Sequence, residues 1–431
     1  MNKGVKIGFA GQSHLGLISQ LGLAIKGFEV VAYDPDKELI VDLLQKEWPI
    51  HEPSYKELMD KHTDNIAFSS DVNSLKVCDV VYVSMDVPTD SKGSSDLSVI
   101  EELVQDIAPV VENKILVILS QVKPGFTRKI HQCLNNVKVY YQVETLIFGR
   151  AMERTLEPER YIIGSVNKEL TLDPQYQKIL EPFACPILHM NYESAELAKI
   201  SINLFLVSTV TTTNLIAEVC EGIGAEWGDI ADCLRLDKRI GAHAYLSPGL
   251  GISGGNLERD MATIINLAEG SSSNHEIVDS WVNASKYMKE WPVRKFRELA
   301  ADLGAGDKVA VLGLTYKPNT HSLKNSPSVE LIKCLKAKKI EVYDPMASII
   351  DSEIEELVQQ VEEPMAACEG AAVVIVMTPW AEIKSLNIED VRKVMKGNII
   401  IDPLESIAST GVEGGGYFCR GRNYVNLETK L

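Results

Sequence analysis

The chain has 431 residues, 45% hydrophobic and 24% charged, the composition of a folded globular protein too long for one ordinary core. Its net charge of −17 argues against nucleic acid as a partner, because such proteins present a basic face. No apolar run approaches the roughly 20 residues that span a bilayer, and Met1-Asn2-Lys3-Gly4 leads straight into a strand pattern without a signal-peptide core. The expectation is a cytoplasmic protein with no membrane partner.

Apolar runs at Val5–Ala10, Glu29–Tyr33, Val77–Met85, Lys114–Leu119 and Val137–Val143 alternate with amphipathic stretches over residues 1 to about 190. That alternation predicts βαβ units and a parallel sheet. Ser194–Ile223 is a long run of helical period. Gly and Pro cluster at 241–255, and a further helical stretch reaches about 303. The βαβ pattern returns with Lys308–Leu314, Lys339–Tyr343, Ala372–Met377 and Asn398–Asp402, and the Gly-rich tail after Thr410 reads as loop. The fold class is therefore α/β: two Rossmann-type parallel-sheet domains joined by a long central helix or helical domain. The expected boundaries are 1–192, 193–303 and 304–431. The eight cysteines are scattered singly and form no metal-type cluster, so they read as reduced thiols and no metal site is expected.

Between the first strand and the helix that follows lies Gly11-Gln12-Ser13-His14-Leu15-Gly16, a GxGxxG turn with Ser at the second glycine. The first glycine makes the tight turn, the last lets helix and strand pack closely, and the helix N-terminus faces a pyrophosphate. Ser13 adds a Cβ where backbone approaches phosphate. The second strand ends in Asp34, placed to accept from a ribose 2′-OH and to repel a 2′-phosphate, which selects NAD over NADP. A glycine turn serving packing alone is the alternative.

Further landmarks run in order along nearly the whole chain: Glu52-Pro53, Val87-Pro88-Thr89 with Asp96-Leu97, Pro158 to Gly164, Ala195 to Lys199 with Asn203, Asp237 to Gly241, Pro248 to Gly251 with Gly254-Gly255 and Asp260, Leu312 to Thr320, Val342 to Pro345, and Thr378-Pro379-Trp380. With them the chain resembles the UDP-glucose/GDP-mannose dehydrogenase family. The resemblance implies an N-terminal NAD domain, a central dimerising helix and a C-terminal domain for the nucleotide of a sugar substrate, most readily a UDP-sugar. It also implies oxidation of a primary alcohol twice, to the carboxylate, with two NAD consumed, and a supply role in polysaccharide biosynthesis.

Carried over residue by residue, the resemblance makes Lys199 and Asn203 the holders of the reacting oxygen. Their i, i+4 spacing puts both on one helix face, and both offer N–H donors to developing oxyanion charge. It makes Asp260 the aspartate that positions or deprotonates a water, and Glu144 the first Glu of the family's PEFLREG segment. Pro88, Thr89 and Ser120 join Gly11, Ser13, His14, Leu15, Gly16 and Asp34 around the cofactor. Gly254, Gly255, Lys317, Lys324 and, from a neighbouring subunit, Arg239 fall to the substrate.

The departures concern the second oxidation. Asn256 stands where the family has the cysteine that attacks the aldehyde, and an amide has no ionised nucleophilic form. Ser120-Gln121-Val122 lacks the family's threonine, and Phe148 replaces the second Glu of PEFLREG. The nucleotide end departs as well: Lys324 replaces an arginine without its bidentate fork. Three readings stay open: a single two-electron oxidation or NAD-assisted epimerisation, a four-electron dehydrogenase working through a hydrate, and a non-catalytic nucleotide-sugar binder.

Overall fold

The computed structural model describes residues 4–88, 95–253, 255–304, 306–335, 339–407 and 416–422. Thr89 and Gly254, both expected in the site, lie outside them. The chain divides into two compact units, Met1–Ile202 and Asn203–Leu431.

The first unit holds β1 (Lys6–Ala10), β2 (Glu29–Tyr33), β3 (Ile66–Ser69), β4 (Val80–Val83), β5 (Ile115–Ile118), β6 (Lys138–Gln142), β7 (Tyr161–Ser165) and β8 (Ile187–Asn191). They form one sheet in the order β3-β2-β1-β4-β5-β6-β7-β8, parallel except for the β6–β7 pair. The strand order reverses between β1 and β4, which creates the crevice where doubly wound sheets bind ligands. Helices cover both faces, so the central strands are dry on both sides. Ile7, Val80, Val81, Leu116, Val117 and Ile118 are fully buried, which is why these strands read as unbroken apolar runs.

The second unit holds β9 (Lys308–Leu312), β10 (Lys339–Tyr343), β11 (Gln359–Gln360), β12 (Val373–Val376), β13 (Ile399–Ile401) and β14 (Tyr417–Phe418). Their order, β11-β10-β9-β12-β13-β14, repeats the same reversal with every pair parallel. β14 corrects the expectation of a loop after Thr410: Ile400 and Ile401 pair with Tyr417 and Phe418.

The helix Tyr192–Ile223 begins in the first unit and ends in the second. Its mean hydropathy reaches 1.5 over 18 residues, so by length and composition it could cross a membrane, contrary to expectation. Within the second unit, however, its Asn203, Thr213 and Asn214 are buried. The Arg420 guanidinium is fully buried and donates to the Asn214 side-chain and backbone oxygens at 2.8 and 2.7 Å and to the Gly249 carbonyl at 2.6 Å. The Glu221 carboxylate lies 3.8 Å from the same guanidinium and accepts from Gly421 N–H at 3.2 Å. Buried polar groups held this way belong to a protein interior.

Candidate functional site

The Gly11–Gly16 turn is built for close approach. Gly11 has φ +98°, and a methyl group there would stand 3.0 Å from Met85 N. A methyl group at Gly16 would stand 2.2 Å from the Gly11 carbonyl oxygen, so only glycine lets the helix His14–Ile25 pack onto the end of β1. Ser13 takes the N-cap position, where a serine hydroxyl ordinarily accepts from the first turn. Here its Oγ donates instead to Ser84 O at 2.7 Å. The first turn holds no acidic residue, and among the described residues no side chain caps it. Its N–H groups are thus left for an anion, and the Cβ of Ser13 is accommodated by turning the hydroxyl into the protein. The turn fits a dinucleotide pyrophosphate.

Asp34 follows β2 and is 3% exposed. Its carboxylate accepts from Gln12 N at 2.6 Å and from Asp36 N at 2.9 Å, which fixes it beside the turn with a further lone pair on each oxygen for a ribose hydroxyl. Ser120, two residues past β5, is fully buried and donates to Met85 O at 2.6 Å, tying the loops after β4 and β5. Pro88 is exposed on the first of these loops. Leu15 is buried in the helix start. His14 points aside: its Nε2 donates to Glu52 Oε1 at 3.1 Å.

Glu144 lies just past β6, with Oε1 accepting from Thr145 N at 2.6 Å. Burial pushes its carboxyl above the usual range; the backbone N–H groups of Thr145 and Leu146 and the charges of Lys199 and Arg154 pull the other way. The structure thus brings Glu144 and half-buried Lys199 within electrostatic reach. Phe148, on the same loop as Glu144, is 49% exposed.

In the second unit, Asn203 is 8% exposed and its Nδ2 donates to Asp260 Oδ2 at 2.5 Å. Arg259 Nε lies 3.5 Å from the other carboxylate oxygen. Asp260 belongs to the helix Asn256–Ser271, which starts after Gly255 at φ +108°. Asn256, its exposed first residue, is four before Asp260 and shares its face. The unit's cysteines lie elsewhere: Cys220 packs with Trp227, Cys368 and Cys419 sit under the sheet, and Cys233 and Cys334 are exposed on other helices.

Loop 315–326 runs beside this helix start. A methyl group at Gly255 would stand 3.9 Å from Lys324 Cε, and Asn325 Nδ2 donates to Glu258 Oε2 at 2.9 Å. Lys317 is half-buried on the same loop, with Nζ 5.6 Å from the Tyr316 ring centre. Arg239 is not gathered with them within its own subunit: its side chain is 89% exposed and forks onto Asp237 at 3.0 and 2.6 Å. Asp402, just past β13, is fully buried and accepts from Ile407 N and the Tyr417 hydroxyl.

Sequence reasoning assigned no role to Glu52, Arg259 or Arg420. The first sits in a quoted motif and Arg259 stands next to its acidic partner Asp260 in the sequence; Arg420 carries no local signal, because its partner Asn214 lies 206 residues away.

Three profiles of the UDP-glucose/GDP-mannose dehydrogenase family match: the NAD binding domain over residues 5–184, the central domain over 193–286 and the UDP binding domain over 310–408. The UDP-glucose 6-dehydrogenase TuaD of Bacillus subtilis (strain 168) is 27% identical over 428 residues, covering 96% of this chain and 92% of its own length. The UDP-glucose 6-dehydrogenase of Rickettsia bellii (strain RML369-C) is likewise 27% identical, covering 96% and 98%. Among solved structures, the UDP-D-ManNAc dehydrogenase of Pyrococcus horikoshii superposes with a TM-score of 0.83 at 23% identity, over 97% of this chain and all of the other. A UDP-glucose dehydrogenase from Pyrobaculum islandicum gives 0.81 at 24%, over 93% and 95%. These last two likenesses establish the fold. The chain belongs to the UDP-glucose/GDP-mannose dehydrogenase family of NAD-dependent nucleotide-sugar oxidoreductases.

Proposed function

We propose that this enzyme makes a single two-electron change at one carbinol carbon of a nucleotide sugar, most readily a UDP-sugar, and stops at the carbonyl or returns the hydride to invert the carbon. The observation that carries this reading is Asn256, exposed on the Asp260 face of its helix where a thiolate is needed to trap an aldehyde. Apolar Phe148 on the Glu144 loop supports it, since hydration of a carbonyl needs polar help.

Bound NAD supplies the hydride acceptor. Lys199 and Asn203 direct N–H donors at the substrate oxygen, where alkoxide charge grows as the hydride leaves. The hydrogen bond from Asn203 to Asp260 fixes the amide and leaves it a second N–H to offer. Glu144 takes the carbinol proton; burial brings its pKa nearer the working pH than an ordinary carboxylate. Lys317 and Lys324 meet the diphosphate.

Residues 1–192, 193–303 and 304–431 serve as NAD-binding, dimerisation and nucleotide-sugar-binding domains of a cytoplasmic homodimer. Phe205, Leu215, Val219 and Ile223, exposed along the long helix, support the dimer.

The test incubates the protein with NAD and a panel of UDP-, GDP- and CDP-sugars, reading NADH and product mass. A product two mass units lighter, or an isomer without net NADH, is expected, and Lys199→Ala should lower the rate about 10²- to 10³-fold. A uronic acid with two NADH per sugar would sink the single-step reading. Turnover unchanged by Lys199→Ala would remove Lys199 from the mechanism.

A further inference from the structure

Glu52 joins two segments that the reaction needs and that no ladder hydrogen bond connects. Its side chain is 1% exposed. Oε1 accepts from His14 Nε2 at 3.1 Å and from Gly149 N at 3.0 Å; Oε2 accepts from Gly149 N at 2.9 Å and from Ala151 N at 3.3 Å. His14 opens the helix whose N-terminus faces the pyrophosphate. Gly149 closes the irregular loop that starts at Glu144, and Ala151 opens the helix Ala151–Leu156. A second contact runs alongside: the Phe148 ring lies 4.5 Å from the His14 ring, tilted by 40°.

A carboxylate serving only to cap the helix Ala151–Leu156 would satisfy Gly149 and Ala151 without His14. The imidazole contact, and the aromatic one beside it, add a joint to the cofactor turn. The loop from Glu144 to Gly149 has no strand or helix of its own, so its order depends on such ties.

We propose that Glu52 is a positioning residue, with His14 as its joint, through which occupancy of the Gly11–Gly16 turn by NAD orders the loop that carries Glu144 and Phe148. The ordering rests on the cofactor reading of that turn. An anion at the helix start restricts the His14 imidazole. The imidazole restricts Glu52 and Phe148, and the loop settles into the position in which Glu144 faces the reacting carbon.

Amide hydrogen exchange on the full chain, with and without NAD, tests this without any sugar substrate. In the unaltered protein NAD should slow exchange at residues 11–20 and, by about tenfold, at 144–151. His14→Ala should keep NAD-dependent slowing at 11–20, since the turn remains, and lose it at 144–151. His14→Gln, which retains an N–H for Glu52, should restore it. Glu52→Gln should repeat the loss in a protein of unchanged circular dichroism. Slowing at 144–151 that survives His14→Ala, or its absence from the unaltered protein despite slowing at 11–20, would overturn the proposal. Failure of the unaltered protein to bind NAD would overturn the cofactor reading and the proposal together.

Discussion

Two turns in this chain begin alike and end differently. β1 is followed by Gly11, at φ +98°, and β9 by Gly313, at φ +94°. Gly11 N–H donates to Tyr33 O at 2.9 Å and Gly313 N–H to Tyr343 O at 2.7 Å. β2 and β10 both run into Tyr-Asp-Pro. Each aspartate reaches back to the turn: Asp34 accepts from Gln12 N at 2.6 Å, Asp344 from Leu314 N at 2.7 Å. After Gly11 a helix starts at His14, whereas residues 314–326 intervene before the helix Pro327–Cys334, whose cap Ser326 accepts from Ser328 N. Asp344 also accepts from Thr315, Met346 and Ala347 N–H and from Trp380 Nε1. One strand–turn–carboxylate device therefore serves two ends. With a helix starting at once and the carboxylate lightly loaded, it leaves an anion site. With a long loop and a saturated carboxylate, it is scaffold.

Substitutions in matched pairs should separate the two uses. The largest effect is expected from Gly313→Ala, whose new methyl would stand 2.4 Å from Thr378 Cβ at a φ that favours glycine. We expect a loss of about 4 kcal/mol or more by denaturant unfolding, or no soluble protein. Gly11→Ala, 3.0 Å from Met85 N, should instead keep a folded protein and lose NAD affinity. Equal unfolding by both would erase the distinction. Next, Asp344→Asn should cost about 2–3 kcal/mol of stability, because it turns amide hydrogens toward buried donors. Asp34→Asn should mainly weaken NAD binding, about tenfold, since a neutral amide is a poorer ribose acceptor. Binding calorimetry and thermal unfolding on both variants read the split. Smaller still, Ser13→Ala removes one hydroxyl bond and should cost about 1 kcal/mol with NAD affinity nearly unchanged.

Burial raises the folded-state pKa of Glu144, so the native form holds that proton more tightly than the unfolded chain. Its contribution to stability is therefore lost as pH rises from the ordinary carboxylate value through the raised one. Glu144→Gln should flatten that part of the stability–pH curve and gain stability at neutral pH while losing turnover. Parallel curves for the two proteins would show that the carboxyl is not perturbed.

Much of the sheet was legible because its central strands are buried on both faces: Val80–Val83 and Ile115–Ile118 are apolar at every position. β3 and β8 lie at the sheet edges, where Ser69, His189 and Asn191 dilute the pattern, and the sequence reading omits them. β14 spans two residues near a Gly-rich stretch, too short for periodicity to register. At the site, the glycine turn and Asp34 follow a fixed local spacing, whereas Lys199, Asn203 and Asp260 were singled out by the family resemblance; the structure joins Asn203 to Asp260 by a hydrogen bond. Arg420 was not, since its partner Asn214 lies 206 residues away and only the folded chain brings them together.

That buried arginine has a genetic consequence. Arg420, Gly421 and Glu221 form one closed group, and Trp227 N–H donates to Gly421 O at 2.9 Å. A premature stop or frameshift shortly before codon 420 would remove the guanidinium and strip the buried Glu221 carboxylate of the nearer of its two positive charges, Arg420 and Lys295. Loss of codons from 420 onward should therefore behave as a missense change in the last turn of the long helix, and a message shortened there would give a protein that is degraded rather than trimmed.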